Sequence, residues 1–361
     1  MPRKPTRTVL VGGVPIGGGA PIPVQSMTNT DTRDSAATLR QIQALRRAGC
    51  DIVRVSVYDQ DCVAALPAIL RGAGIPVVAD IHFDHRLAIA AMECGVQKVR
   101  INPGNVGGPD KVRELVACAR ERAVPIRIGV NSGSVEPRIL ARDGGVTAKG
   151  LWESAQAHIR LLEDCGFHDI IVAVKASTVP MMVEAYRLAA AACRYPLHLG
   201  VTEAGGRDAG LIKSAAGIGS LLLDGIGDTI RVSLTGDPVQ EVRAGRLLLR
   251  SLGLLNEGVD VVSCPTCGRC NIDVEGVARF IEERTSHIRA PLRVAVMGCV
   301  VNGPGEAREA DVGLAGGKGK GVLFARGERI ATVEEADMAQ ALLAEVERLA
   351  AQKEKSFDAN P

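Results

Sequence analysis

Pro125-Ile126-Arg127-Ile128-Gly129-Val130-Asn131 is a short β-branched run with a cation set into it. Side chains alternate across an extended chain, so Ile126, Ile128 and Val130 share one face, and Arg127, Gly129 and Asn131 share the other. Three further runs repeat the pattern: Val53-Arg54-Val55-Ser56, Val99-Arg100-Ile101-Asn102 and Ile230-Arg231-Val232-Ser233. In each, an arginine shares its face with a small or polar residue two positions on. The flanking Val and Ile suit the helix-covered face of a parallel sheet, so the arginines are expected to point inward. From Pro21 to about Gly253 the chain repeats a unit of roughly 25–35 residues, a β-branched run followed by a helix-patterned one. The expected strands are Ile22–Ser26, Asp51–Val57, Pro76–Ile81, Lys98–Asn102, Pro125–Asn131, Asp169–Val174, Pro196–Val201 and Thr229–Leu234. Eight such units predict a (β/α)8 TIM-type barrel over residues 1–253. A doubly wound open sheet is the alternative, but it rarely needs eight consecutive units. Ahead of the barrel, Val9–Val11 and Val14–Ile16 flank Gly12-Gly13, which predicts a hairpin within residues 7–17 that plugs the barrel's N-terminal end.

The pattern changes after Gly258. Strand-like Val259–Val262 precedes a cysteine motif, and a helix is expected over about Val274–Arg284. Strands Arg293–Val296, Asp311–Leu314 and Gly321–Ala325 follow, then a helix over about Val333–Ala351. This predicts a small α+β domain at 258–351, a linker at Ser251–Gly258 and a polar, frayed tail at 352–361.

Composition narrows the function. The 361 residues are 46% apolar and 23% charged, which excludes a disordered or fibrous chain. Aromatics are only 2%, so the core must be built from Val, Ile, Leu and Ala. The net charge of +2 is too balanced for a protein wrapped on nucleic acid, so no nucleic-acid partner is expected. No run approaches the roughly 18 consecutive apolar residues of a membrane span. The start, Met1 to Thr8, lacks a signal peptide's apolar stretch. A cytoplasmic protein with no membrane partner is expected, in which ten cysteines are not disulfide staples.

Burying four arginines in a barrel is prohibitive without anionic partners. Internal carboxylates are one solution, with Asp51, Asp80 and Glu203 available. The other is a polyanionic ligand at the C-terminal mouth, since guanidinium forks match phosphate oxygens. Polar residues also fall at strand ends: Ser26, Asp80, His82, Asn102, Asn131, Ser132, Lys175, Ser177, Thr202 and Glu203. Such a ring suits one small molecule, and a carboxylate amid arginines, Glu203, suits proton transfer.

Six cysteines are scattered, at positions 50, 62, 94, 118, 165 and 193, and read as small buried hydrophobes. The other four cluster in Cys264-Pro265-Thr266-Cys267-Gly268-Arg269-Cys270 and Met297-Gly298-Cys299. The pair Cys264 and Cys267, joined by Cys299 and by Glu306 in a Gly/Pro-rich stretch, fits an iron–sulfur cluster with one reactive iron. Structural zinc and a bare thiol pair are the alternatives left by spacing.

The motifs together resemble one family. Val24-Gln25-Ser26-Met27-Thr28, Lys98-Val99-Arg100-Ile101-Asn102-Pro103-Gly104-Asn105, Arg127-Ile128-Gly129-Val130-Asn131-Ser132-Gly133-Ser134, Thr202-Glu203-Ala204-Gly205 and the run Gly225 to Thr235 all match it. So do Cys264 to Arg269 and Met297 to Ala307. The chain resembles the bacterial 4-hydroxy-3-methylbut-2-enyl diphosphate synthases of the non-mevalonate isoprenoid pathway, in their two-domain form, from about Arg7 to Arg348.

The resemblance implies an oxidoreductase acting on 2-C-methyl-D-erythritol 2,4-cyclodiphosphate. The reaction is a two-electron reductive ring opening with loss of water, giving (E)-4-hydroxy-3-methylbut-2-enyl diphosphate. It implies one [4Fe–4S] cluster per chain, held by Cys264, Cys267, Cys299 and Glu306, with reduced flavodoxin or ferredoxin as electron donor. It further implies that Arg54, Arg100, Asn102, Arg127, Asn131, Lys175, Arg231 and Ser233 hold the diphosphate. Glu203 would handle protons, Glu306 would yield its iron to the substrate, and Asn302 would meet the substrate hydroxyls. A head-to-tail homodimer is implied, each small domain capping the partner's barrel. Cys270 departs from the family, which usually has another residue there. Spacing alone would make it the fourth ligand, whereas the resemblance makes it a spectator thiol.

Overall fold

The computed structural model describes residues 2–102, 108–299, 301 and 303–358, with side chains as far as residue 354. The chain divides into two units, Met1–Leu255 and Asn256–Pro361. Among the described residues no helix is long and apolar enough to cross a membrane.

The first unit opens with strands β1 (Val9–Val11) and β2 (Val14–Ile16), paired antiparallel. Gly12 and Gly13 join them at φ +54° and +88°, the left-handed pair that a two-residue hairpin needs. Eight strands follow: β3 (Gln25–Met27), β4 (Ile52–Ser56), β5 (Val77–Asp80), β6 (Lys98–Ile101), β7 (Ile126–Asn131), β8 (Ile170–Lys175), β9 (His198–Leu199) and β10 (Thr229–Ile230). The first six form one parallel sheet in chain order, and β9 pairs parallel with β10. Parallel bridges Val172↔Leu197 and Val24↔Ile230 join the two sheets and close the ring. This is the expected (β/α)8 barrel.

The outward strand residues carry the stability. Val53, Val55, Val99, Ile101, Ile126, Ile128, Ile230 and Val232 are buried in one core with helix residues such as Ile42, Leu66, Leu115 and Leu151. Each contributes about 1.5–3 kcal/mol of burial. At the N-terminal end, inward-facing Ile52, Val78 and Ile171 form a separate core with Val9, Val11 and Ile16 of the hairpin. The apolar floor comes from the plug, and the polar residues lie above it.

The last two barrel strands are shorter than the spans 196–201 and 229–234 expected from sequence. Arg231 N still donates to Leu199 O (2.9 Å). Three residues on, Leu234 N donates to the Glu241 carboxylate (3.0 Å) instead of a neighbouring strand. A side chain from the following helix has replaced the ladder.

The second unit is a five-stranded sheet in chain order: β11 (Val259–Ser263), β12 (Leu292–Met297), β13 (Val312–Gly316), β14 (Lys320–Ala325) and β15 (Glu328–Glu334). The first three are parallel and the last two antiparallel. Helices Val274–Thr285 and Met338–Asp358 bury Ile281, Leu342 and Val346 against Val294 and Val312.

Two expectations need correction. The final helix begins at Met338, not Val333, because β15 runs to Glu334 and a 3-10 turn over Glu335–Asp337 follows it. Arg326 (φ +51°) and Gly327 (φ +84°) turn the chain in a two-residue hairpin, and Arg-Gly is not a composition that announces one. The helix also continues to Asp358, through most of the stretch expected to fray. Lys353 Nζ holds it down by donating to Pro291 O (2.7 Å) and Asp311 Oδ1 (3.0 Å).

Candidate functional site: a cationic barrel mouth and a thiol loop

The inward faces of the barrel strands carry six cations: Arg54 on β4, Lys98 and Arg100 on β6, Arg127 on β7, Lys175 on β8, and Arg231 just beyond β10. All but Arg231 are buried, and the Arg231 side chain retains 16% of its exposure. Two carboxylates face them. Asp80 on β5 accepts from Arg100 Nη1 (3.1 Å) and lies 3.7 Å from Arg54 Nε. Glu241, in the first turn of helix Pro238–Ser251, accepts from Arg231 Nε and Nη2 (both 3.3 Å) and from Ser26 Oγ (2.9 Å).

Of the three carboxylates available from sequence, Asp80 therefore serves the cations. Asp51 accepts from Val24 N (2.7 Å) at the start of its strand, and Glu203 is exposed at φ +51°. Counted at their ordinary charges, and among the described residues, six cations against two carboxylates leave a formal excess of four positive charges.

That imbalance perturbs the groups within. Burial, with Arg54 and Arg100 nearby, pushes Arg127 well below its ordinary value. Lys175 moves the same way through burial and the neighbouring guanidiniums, Arg127 foremost. Burial pushes Arg54 down to about 10, although Asp80 opposes the shift. For Asp80, burial favours the neutral acid, but Arg54, His82 and Arg100 outweigh it and hold the carboxyl below its usual range.

Polar atoms are left over as well. Among the described residues, Arg127 Nε, Arg100 Nε and both amide atoms of Asn102 are buried without a hydrogen-bond partner. Buried polar groups are normally paired, so these atoms are the ones with hydrogen-bonding capacity to spare for a polar ligand. Asn131, at the end of β7, and Ser233 are half-buried at the rim. His82 is more exposed, and its ring accepts from Arg100 Nη1 (3.2 Å).

In the second unit, Cys264 and Cys299 follow the C-terminal ends of the neighbouring parallel strands β11 and β12. Cys264 Sγ accepts from Gly298 N (3.2 Å). Cys267 is exposed in the connecting loop, and Glu306 is exposed on helix Gly303–Glu309. The stretch expected as a Gly/Pro loop thus turns helical at Gly303. Asn302 lies outside the described residues, as do Pro103, Gly104 and Asn105 of the barrel motif.

Cys270 Sγ donates to Ile272 O (3.2 Å). A Cβ on Gly298 would sit 2.3 Å from that sulfur and 3.4 Å from Cys264 Sγ, so this glycine keeps space beside two thiols. Among the described residues no three His, Cys, Asp or Glu side chains converge on a single-ion site. A four-iron cluster places its ligands on separate irons and does not need that convergence. A soft thiolate set with one carboxylate fits it.

The model of the GcpE TIM-barrel domain matches residues 6–246, and that of the GcpE protein C-terminal domain matches residues 260–348. The chain belongs to the GcpE family. It is 59% identical over 348 residues to the 4-hydroxy-3-methylbut-2-en-1-yl diphosphate synthase (flavodoxin) of Geobacter sulfurreducens, covering 96% of this chain and 99% of that one. It is 56% identical to the protein of the same name from Caldanaerobacter subterraneus, covering 96% and 98%. This GcpE-family chain is accordingly an enzyme, an oxidoreductase. Among solved structures, the dihydropteroate synthase of Stenotrophomonas maltophilia superimposes with a TM-score of 0.50 at 11% identity, covering 69% of this chain and 97% of that one. That likeness shows the barrel fold alone.

Sequence reading missed four residues in and around the cation cluster of the GcpE barrel. Glu241 reads as a helix-start carboxylate of the kind that meets the helix dipole, yet it anchors Arg231, Ser26 and Leu234. Met27 offers its sulfur to Arg54 Nη2 (2.9 Å) and Nε (3.1 Å). Lys98 is fully buried and donates to Gln25 Oε1 (3.0 Å). His198 is fully buried with neither ring nitrogen partnered. The available signal was period two: Lys98 precedes Arg100 by two positions and shares its face.

Proposed function

We propose that this chain reductively opens 2-C-methyl-D-erythritol 2,4-cyclodiphosphate, with loss of water, to (E)-4-hydroxy-3-methylbut-2-enyl diphosphate in isoprenoid precursor synthesis. The single observation that carries the reading is the excess of buried cations over carboxylates at the barrel mouth. A compact cyclic diphosphate offsets that excess, and the names of the GcpE relatives supply the reaction class.

Arg54, Arg100, Arg127, Lys175 and Arg231 grip the phosphate oxygens, with charge-assisted bonds about twice the strength of neutral ones. Asn102, Asn131 and Ser233 complete the shell with amide and hydroxyl groups. Asp80 and Glu241 hold Arg54, Arg100 and Arg231 in place before the ligand arrives, which lowers the ordering cost of binding. Glu203, exposed at the rim, handles a proton at the carbon skeleton, and Asn302 contacts the substrate hydroxyls.

Cys264, Cys267, Cys299 and Glu306 hold one [4Fe–4S] cluster, with Cys270 a spectator thiol. When bound, the cluster supplies electrons one at a time and a Lewis-acid iron. A carboxylate binds iron more weakly than a thiolate, so Glu306 would be the most labile of the four ligands. Reduced flavodoxin is the donor, with ferredoxin an alternative of the same class.

In this reading residues 1–253 bind substrate, residues 258–351 carry the cluster, and two cytoplasmic chains pair head to tail so that each small domain serves its partner's barrel. The test is anaerobic iron and sulfide analysis, together with turnover of the cyclic diphosphate under a strong one-electron reductant. Four irons per chain and product formation are expected. A colourless protein with one zinc per chain would instead favour a phosphate-binding barrel without redox chemistry. Mixing a Cys299→Ser chain with an Arg127→Met chain should restore part of the activity, and no rescue would argue against the paired arrangement.

A further inference from the structure

Lys98 sits beneath the mouth residues. It is fully buried, and its Nζ has one hydrogen-bond partner among the described residues, the neutral amide of Gln25 from β3. The charges that act on it are Arg127 from β7 and Arg54 from β4, both positive. His198 from β9 faces the same cations and lacks any partner for its ring. The two carboxylates that face these cations among the described residues are engaged elsewhere, Asp80 with Arg100 and Arg54, Glu241 with Arg231. A buried ammonium among guanidiniums and without a counter-ion is strongly disfavoured, and a lysine escapes the cost by losing its proton. An arginine cannot do so as readily.

We propose that Lys98 couples substrate capture to proton uptake: it is neutral while the cup is empty, and entry of a cyclic phosphate anion draws one proton from the medium onto its Nζ. The inference rests on reading the mouth as a diphosphate cup. Burial, followed by Arg127 and Arg54, pushes Lys98 well below its ordinary value in the ligand-free barrel. An anion above reverses the sign of the local potential and restores the ammonium. His198 starts from a much lower ordinary value, about 6.5 against about 10.4 for lysine, so it stays neutral while Lys98 charges. Lys98 is therefore a positioning residue: it adds positive charge only when there is negative charge to meet. The empty barrel is spared the repulsion of one further cation.

The probe is inorganic trimetaphosphate, a cyclic anion that carries no titrating proton near neutrality. Its binding to the holoenzyme is measured by calorimetry at about pH 8 in buffers of different ionisation enthalpy. The wild type should bind with uptake of at least one proton per barrel. Lys98→Met should take up one proton fewer and bind about tenfold more weakly, the order expected for one charge at short range in a protein interior. Lys98→Arg, which keeps its charge, should bind without that uptake. Binding of the wild type with no proton uptake overturns the inference and leaves the cup intact. Unchanged uptake in Lys98→Met assigns the proton to another group, Lys175 first, and also overturns it. Failure of trimetaphosphate to bind at all is a different result, because it removes the cup itself.

Discussion

Glu241→Gln isolates the electrostatics of the barrel. The wild-type carboxylate is buried and takes four donors: Ser26 Oγ at 2.9 Å, Leu234 N at 3.0 Å, and Arg231 Nε and Nη2 at 3.3 Å. Glutamine has the same shape but keeps only one acceptor oxygen, and its NH2 group must face donors. Removing one partner of a buried pair costs about 3–5 kcal/mol. The retained oxygen places this change near the lower figure, about 3 kcal/mol. For a domain of this size that lowers Tm by about 6–12 °C, read by circular dichroism in phosphate-free buffer.

The same substitution raises the excess of buried cations, so an added anion should help the variant more than the wild type. At a hundredfold excess over its dissociation constant, pyrophosphate contributes about 2.7 kcal/mol by mass action. The rise in Tm with pyrophosphate should therefore be larger in Glu241→Gln. Asp224→Asn, which breaks the exposed pair with Arg187, is the control and should leave Tm where it is. A Tm loss no greater than the control, or a smaller response to pyrophosphate than in the wild type, would refute the reasoning.

Three more outcomes follow from the same geometry. Arg127→Met should stabilise the ligand-free barrel by about 1–3 kcal/mol, since it removes a buried guanidinium whose Nε has no hydrogen-bond partner among the described residues and which lies among other cations; it should also weaken pyrophosphate binding at least tenfold, as denaturant titrations with and without the anion will show. The pH dependence has two limbs. Asp80 is depressed by Arg54, His82 and Arg100 against the effect of burial, so its contribution is complete above about pH 4 and fades as pH falls toward its lower folded value. Lys98 is depressed by burial and by Arg127 and Arg54, so the unfolded chain binds more protons, and stability without anion should rise with pH up to about 10.4. Gly298→Ala would place a methyl group 2.3 Å from Cys270 Sγ and 2.8 Å from Val274 Cγ2, so iron and sulfide per chain should fall while the barrel's Tm stays unchanged.

The barrel was legible in the sequence because its signal is local. Each unit announces itself by β-branched residues, and the single arginine sharing a face with a small or polar residue in Val53–Ser56, Val99–Asn102, Ile126–Gly129 and Ile230–Ser233 can be read without knowing what lies opposite. The hairpin was legible for the same reason, since Gly12-Gly13 permits the turn that joins β1 to β2. The motif around Cys264, Cys267, Cys299 and Glu306 carried the family resemblance, because ligand spacing is a property of the chain.

What faces what was not legible. Glu241 lies ten residues after Arg231 on a helix, and only the closed ring brings it against Ser26 from the first barrel strand. Lys98 looked like one more lysine until the fold set it on Gln25, with Arg54 and Arg127 as its charged neighbours and no carboxylate to spare. Local propensity decides which residues form strands. The balance of buried charge depends on distances between residues far apart in the chain, and those exist only once the barrel has closed.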